Sequence, residues 1–255
     1  MKTVLLCGGL GTRLSEETHL VPKPMVQIGE HPILWHIMNI YEKYNYNDFV
    51  LALGFKSSVI KNYFLNFYPL NNNLKIDLTN GNVEFLKEAH KSWTVTCLDT
   101  GAETMTGGRL LRLKDELQGE TFMLTYGDGV SDVNIKELVA FHKSHGKIAT
   151  FTAVRPPSRF GVIEFDGNQV TSFQEKPQTH DGWINGGFFV FEPQIFDYLE
   201  NDSTILERSP MERLAQDGQL MAFKHEGFWQ CMDTLRDKNY LTKTWEEGTA
   251  AWIKQ

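Results

Sequence analysis

Hydrophobic residues along this chain fall into short continuous runs that stop at glycine, alternating with segments whose apolar positions recur every three or four residues. Val4-Leu5-Leu6 ends at Gly8, Phe49-Val50-Leu51-Ala52-Leu53 at Gly54, and Thr121-Phe122-Met123-Leu124-Thr125 runs into Tyr126-Gly127-Asp128-Gly129. Runs of this kind fit strands buried on both faces, each delivering the chain to a loop. Between them, Ile33, Leu34, Ile37, Met38 and Tyr41 share a helical face, with Pro32 suited to the first turn. Val59, Ile60, Tyr63, Phe64 and Phe67 mark a second helix, and Ile135, Leu138, Val139 and His142 a third. The alternation predicts an α/β fold of right-handed βαβ units, with a mostly parallel, Rossmann-like central sheet.

The texture changes after Gly146. Thr150–Val154, Gly161–Phe165, Val170–Gln174 and Gly187–Phe191 are strand-like runs separated by turn signals such as Asp166-Gly167 and Asp181-Gly182. Helical stretches follow near Met211–Gln216 and Leu235–Trp245. There is no repeat, Ser/Gly linker or long charge run. The expectation is one domain over residues 1–255: a mostly parallel half to about residue 146, then a strand-rich, partly antiparallel substrate lobe.

Composition narrows the classes. With 41% hydrophobic and 22% charged residues the chain reads as an ordinary globular protein rather than a disordered or fibrous one. A net charge of −7 disfavours nonspecific nucleic-acid binding. Cys7, Cys97 and Cys231 are scattered, without metal or disulfide spacing, so free thiols in a reducing compartment are expected. The apolar start is too short for a signal peptide or a membrane span, which points to the cytoplasm.

Gly8-Gly9-Leu10-Gly11-Thr12-Arg13-Leu14 follows the first strand directly. Glycines let backbone N–H groups approach phosphate oxygens, and Thr12 and Arg13 add a hydroxyl donor and a guanidinium. The loop lacks the third glycine of the dinucleotide fingerprint, since Leu14 stands there, and the Gly-Lys-Ser/Thr of a Walker loop. Nearby, Lys23 is clamped between Pro22 and Pro24, which fix the backbone and disfavour helix. Beside the glycine turn, that lysine reads as phosphate-facing. His142-x-x-His145 has helical spacing for two metal ligands but no third ligand, and a helix surface explains it better. Cys231 has no adjacent base that would make it a nucleophile.

The glycine loop and Pro22-Lys23-Pro24-Met25 together resemble the opening of the sugar-1-phosphate nucleotidylyltransferases. In family order follow Gly127-Asp128-Gly129, Arg159-Phe160-Gly161-Val162, Gln174-Glu175-Lys176-Pro177, Asn185-Gly186-Gly187-Phe188 and Phe228-Trp229-Gln230-Cys231-Met232-Asp233-Thr234. Asp99-Thr100-Gly101 through Met105-Thr106-Gly107-Gly108-Arg109-Leu110, and Trp229 through Asp237, resemble the branch that joins CTP and glucose 1-phosphate into CDP-glucose.

That resemblance implies a nucleotide-binding half over about residues 1–146, a sugar-binding and C-terminal part over about 147–255, and the roles within them. Leu6, Cys7, Gly8, Gly9, Leu10 and Gly11 would seat the nucleotide, with Thr104, Thr106, Arg109 and Gly127 also lining it. Thr12 and Arg13 would hold the departing phosphates, and Arg13 and Lys23 would be the catalytic cations. Lys176 would bind the incoming phosphate and Glu175 the sugar hydroxyls, with Gly161, Asn185 and Gly186 beside the sugar. Asp128 and Asp233 would share a Mg²⁺ ion. Taken alone, an Asp in a Gly-Asp-Gly turn is more often a turn former, and Arg109 reads as a solvated charge in a helix that Thr106 caps. The resemblance also implies a homo-oligomer, a hexamer, supplying CDP-linked sugars for bacterial surface polysaccharide such as lipopolysaccharide O-antigen. The alternatives are UTP or dTTP in place of CTP, and a non-catalytic nucleotide-sugar sensor.

Overall fold

The computed structural model describes residues 1–86, 91–117, 119–156, 162–166, 168–174 and 182–253. Among the described residues eight strands build the central sheet: β1 (Thr3–Leu6), β2 (Asp48–Leu53), β3 (Thr94–Asp99), β4 (Phe122–Tyr126), β5 (Ala149–Val154), β6 (Ile184–Asn185), β7 (Phe189–Phe191) and β8 (Leu220–His225). Their order is β6-β5-β7-β4-β1-β2-β3, with β8 on the other edge of β5. β4, β1, β2 and β3 run parallel, as do β5 and β8. β7 is antiparallel to both β4 and β5, and β6 is antiparallel to β5. The sheet is therefore parallel through the first half of the chain and mixed through the second.

Successive strand residues point to opposite faces, and both faces here are covered. Leu5, Leu51, Met123 and Val190 pack on one side with Ile33, Ile37, Ile135 and Leu138. Those partners belong to α1 (Ile33–Glu42) and to a helix over Ile135–His145. Val4, Val50, Leu124, Phe189 and Phe191 pack on the other side with Leu110, Leu206 and Leu214. Burial on both sides is why these strands read as uninterrupted apolar runs.

β3 and β8 escaped the run-based reading because each flanks the sheet, where polar residues alternate with half-buried apolar ones. A hairpin of Leu74–Asp77 and Asn82–Phe85 stands outside the sheet. The helix that Thr106 is expected to cap takes Thr106 as its first residue, running over Thr106–Leu111. Gly107 and Gly108 belong inside it because side chains there would strike the backbone of Thr204 and Asp202.

Candidate active site

Parallel strands in register place their following loops along one sheet edge, where α/β proteins bind ligands. Leu6 is level with Tyr126 on β4 and Ala52 on β2, and Leu53 with Asp99 on β3. The glycine loop, Gly127-Asp128, Gly54 and Thr100-Gly101 thus leave the sheet side by side.

Within the glycine loop, Gly11 adopts φ 66°, the left-handed region that favours glycine, and Thr12–Leu14 then form one 3₁₀ turn. Thr18 Oγ1 donates to the carbonyls of Gly11 and Leu14 at 3.1 and 3.0 Å, closing the loop. Gly8 needs to lack a side chain, because a Cβ there would overlap the Arg109 guanidinium.

Arg109 itself is only 4% exposed. Nη1 donates to Leu53 O at 3.2 Å, Thr100 Oγ1 at 2.9 Å and Gly101 O at 2.6 Å. Nη2 donates to Gly8 O at 2.9 Å and Ala102 O at 3.1 Å. The reading of a solvated charge is therefore corrected. One buried guanidinium ties together the loops after β1, β2 and β3, which explains a cation at a helix start that the helix dipole disfavours. Thr106 is not a cap either: Met105 holds the N-cap position, and the Thr106 hydroxyl donates to Glu207 at 2.7 Å. Thr104 is buried beside Gly101.

The prolines around Lys23 do not keep the segment extended. Lys23–Met25 form a 3₁₀ turn with Pro22 as its N-cap, closed by Met25 N on Pro22 O at 2.7 Å. The turn buries the lysine to 8% exposure and aims its ammonium at two carboxylates. Lys23 Nζ donates to Asp128 Oδ2 and to Asp233 Oδ1, both at 2.6 Å. Arg13 Nη1 donates to Asp233 Oδ2 at 2.6 Å.

Asp128 and Asp233 meet because two short strands zip together. Gly129–Ser131 pairs antiparallel with Trp229–Cys231, with Gly129 opposite Cys231, and Met232 N donates to Asp128 O at 2.8 Å. Thr234 and Asp237 then form a capping box on the helix Leu235–Glu246, and Asp237 Oδ2 also accepts from Asp233 N at 3.2 Å. Burial pushes the Asp233 carboxyl up, but Lys23 and Arg13 outweigh it and hold it below the usual range. Burial likewise presses the Lys23 ammonium down, and the two aspartates outweigh it and raise it. Cys231 is pushed up to about 12, by burial first and the neighbouring aspartates second, so it stays a thiol.

Two hard carboxylates facing one shared cation suit Mg²⁺, which takes one or two protein carboxylates and completes its shell with water and phosphate oxygens. Among the described residues no group of three or more His, Cys, Asp and Glu is set to hold a metal.

In the strand-rich half, Asn185 ends β6 and its Oδ1 accepts from Gly187 N at 2.9 Å. Gly187 and Phe188 both take positive φ, 77° and 48°, and Trp229 Nε1 donates to Gly186 O at 2.8 Å. Strained backbone of this sort collects at ligand sites. Gly161, Glu175 and Lys176 lie outside the described residues. Sequence reasoning missed Tyr126, Glu207 and Trp229 as parts of this edge. The capping box Thr234-x-x-Asp237 was a readable signal for where Asp233 sits, whereas nothing in the sequence around Glu207 marks it.

The sequence model of the nucleotidyl transferase family matches residues 2–237. Glucose-1-phosphate cytidylyltransferase of Salmonella typhi is 51% identical over 253 residues, 99% of this chain and 98% of that one. The probable glucose-1-phosphate cytidylyltransferase of Bacillus subtilis is 44% identical over 99% of both chains. The crystal structure of a putative glucose-1-phosphate thymidylyltransferase from Bacillus anthracis superposes with a TM-score of 0.71 at 16% identity, covering 100% of this chain and 97% of that one. That last likeness concerns the fold, and it agrees with the central, mostly parallel sheet. With a family match over most of its length and relatives aligned almost end to end, this chain belongs to the nucleotidyl transferase family.

Proposed function

We propose that this chain transfers the cytidylyl group of CTP to α-D-glucose 1-phosphate, giving CDP-glucose and pyrophosphate. The support for CTP and glucose 1-phosphate is the name carried by relatives 51% and 44% identical over the whole chain. The observation that carries the chemistry is Lys23, wedged between Asp128 and Asp233 at the mouth of the glycine loop.

In this reading a phosphate oxygen of the sugar phosphate attacks the α-phosphorus of CTP in line, and the bond to pyrophosphate breaks. Such a step needs alignment and charge neutralisation more than covalent participation. The loop from Leu6 to Gly11 seats the nucleotide, its shape fixed from behind by Arg109. Arg13, with a side chain 74% exposed, is free to turn from Asp233 toward the departing phosphates. Lys23 stabilises charge around the reacting phosphorus. Asp128 and Asp233 would hold Mg²⁺, which supplies neutralisation of the phosphate oxygens. Thr104, Thr106 and Gly127 line the nucleotide and Asn185 and Gly186 the sugar; by the family resemblance Lys176 takes the sugar phosphate, Glu175 the sugar hydroxyls and Gly161 the approach of the ring. Assembly into a homo-oligomer belongs to the same reading, supported by exposed Leu70, Ile76, Leu78, Val83 and Phe85 in and beside the outlying hairpin. No helix among the described residues is long and apolar enough to cross a membrane.

Incubation with CTP, glucose 1-phosphate and Mg²⁺ tests the reaction by mass spectrometry. CDP-glucose and pyrophosphate formed in equal amounts support it. CMP with no sugar nucleotide, or no turnover at all, overturns it.

A further inference from the structure

The segment from Asn201 to Arg208 joins two parts of the site that the chain otherwise keeps apart. Its backbone is strapped to the start of the Thr106–Leu111 helix. Met105 N donates to Asp202 O at 2.8 Å, and Gly107 N and Gly108 N donate to Thr204 O at 2.9 and 3.1 Å. Arg112 grips the Asp202 carboxylate through Nε and Nη2 at 2.8 and 2.5 Å. At the far end of the strap, Glu207 Oε2 accepts from Thr106 Oγ1 and Oε1 accepts from the Tyr126 hydroxyl, both at 2.7 Å. The Tyr126 oxygen accepts in turn from Asn185 Nδ2 at 3.1 Å. Leu206 N donates to Thr106 Oγ1 at 3.0 Å, so that hydroxyl is oriented from both sides.

Thr106 stands on the nucleotide side of the proposed site and Asn185 on the sugar side. Tyr126 ends β4, immediately before Gly127-Asp128. We infer that Glu207 is a positioning residue that couples the two substrate sides, holding Thr106 and the Tyr126–Asn185 pair in one hydrogen-bonded chain. A carboxylate is badly suited to face the phosphates of either substrate, since like charges repel. Here both oxygens are committed to hydroxyl donors, an arrangement that fixes geometry. The inference rests on the two-substrate reading above.

The test is steady-state kinetics of Glu207→Ala, Glu207→Gln, Tyr126→Phe and Glu207→Ala/Tyr126→Phe, using whichever nucleotide and sugar phosphate the parent turns over fastest. Glu207→Ala should raise KM for the sugar phosphate and lower kcat, reducing kcat/KM about tenfold or more, the scale of one or two hydrogen bonds to a carboxylate. Nucleotide affinity without sugar phosphate should shift less than about threefold, because the backbone bonds to Gly107 and Gly108 survive. Glu207→Gln, which keeps one acceptor, should recover part of the loss. The double variant should lose less than the product of the single losses. Unchanged kcat/KM in Glu207→Ala, multiplicative losses, or losses that simply follow a lowered Tm in Glu207→Gln and Tyr126→Phe overturn the coupling. An active parent with indifferent variants refutes this inference alone. A parent inactive with every pair refutes the proposed function and this inference with it.

Discussion

Lys23 and Asp233 lie 210 positions apart in the chain, yet Lys23 Nζ donates to Asp233 Oδ1 at 2.6 Å, while the same ammonium holds Asp128. The cation proposed for the reacting phosphorus thus pairs with both carboxylates proposed for the metal. Breaking a buried pair on one side leaves the other charges uncompensated. In the proposed reaction Asp128 and Asp233 would hold the metal, whose charge would replace that of the ammonium, and Lys23 would then be available to phosphate.

Lys23→Met should therefore have two opposite effects. Turnover should fall by about 10²–10³, the usual loss when one preorganised charge is removed. Affinity of the nucleotide-free protein for a divalent cation should rise, because the competing ammonium is gone. Manganese titration followed by electron paramagnetic resonance checks the second effect, and weaker binding in Lys23→Met would contradict the shared site.

Asp128→Asn and Asp233→Asn should each raise the Mg²⁺ concentration needed for half-maximal rate. The double variant should cost less free energy than the two single losses combined, since residues serving one ion are not independent. Additive losses with unaltered Mg²⁺ dependence would separate the two carboxylates.

Arg109→Lys keeps the charge but cannot reach Gly8, Leu53, Gly101 and Ala102 together. With buried carbonyls left unpaired, urea denaturation should show a loss of roughly 2–4 kcal/mol. A loss below about 0.5 kcal/mol, the range of ordinary surface changes, would remove Arg109 from its place as the tie between loops.

His36 gives a pH dependence whose sign is fixed by its surroundings. It is fully buried, its Nε2 donates to Ile28 O at 2.9 Å, and its Nδ1 accepts from Trp252 Nε1 at 3.2 Å. Desolvation lowers its pKa to about 4, so the folded protein keeps it neutral. The unfolded chain, titrating at about 6.5, binds that proton first. Stability therefore falls as pH drops from 6.5 toward 4, by up to about 3 kcal/mol from this residue. Comparing urea midpoints at pH 7 and pH 5 for the parent and His36→Gln checks it. Equal slopes in the two proteins would contradict the neutral, Trp252-bound imidazole.

Much of this was legible beforehand, for identifiable reasons. β1, β2 and β4 are buried on both faces and announce themselves as apolar runs, and the glycines after them mark the ligand edge. The partners of that edge were harder to see. Asp128 and Asp233 converge through a three-residue strand pair whose register no local pattern encodes. Arg109 looked like a surface charge because its five acceptors, mostly main-chain carbonyls, come from loops scattered along the sequence. Glu207 sits in a connection with no motif, and its role exists only through contacts to residues 81 and 101 positions away.

In the proposed function the site joins CTP, in preference to other pyrimidine nucleotides, to glucose 1-phosphate. Cytosine presents an amino donor where uracil and thymine present a carbonyl acceptor. A pocket built to accept from that amino group leaves two acceptors opposed when UTP or dTTP binds, which costs about 1–3 kcal/mol, or roughly one to two decades of selectivity. The most direct measurement is kcat/KM for CTP, UTP and dTTP with glucose 1-phosphate saturating. CTP should lead both by about tenfold or more. Equal values for CTP and UTP, or a preference for dTTP, would contradict it.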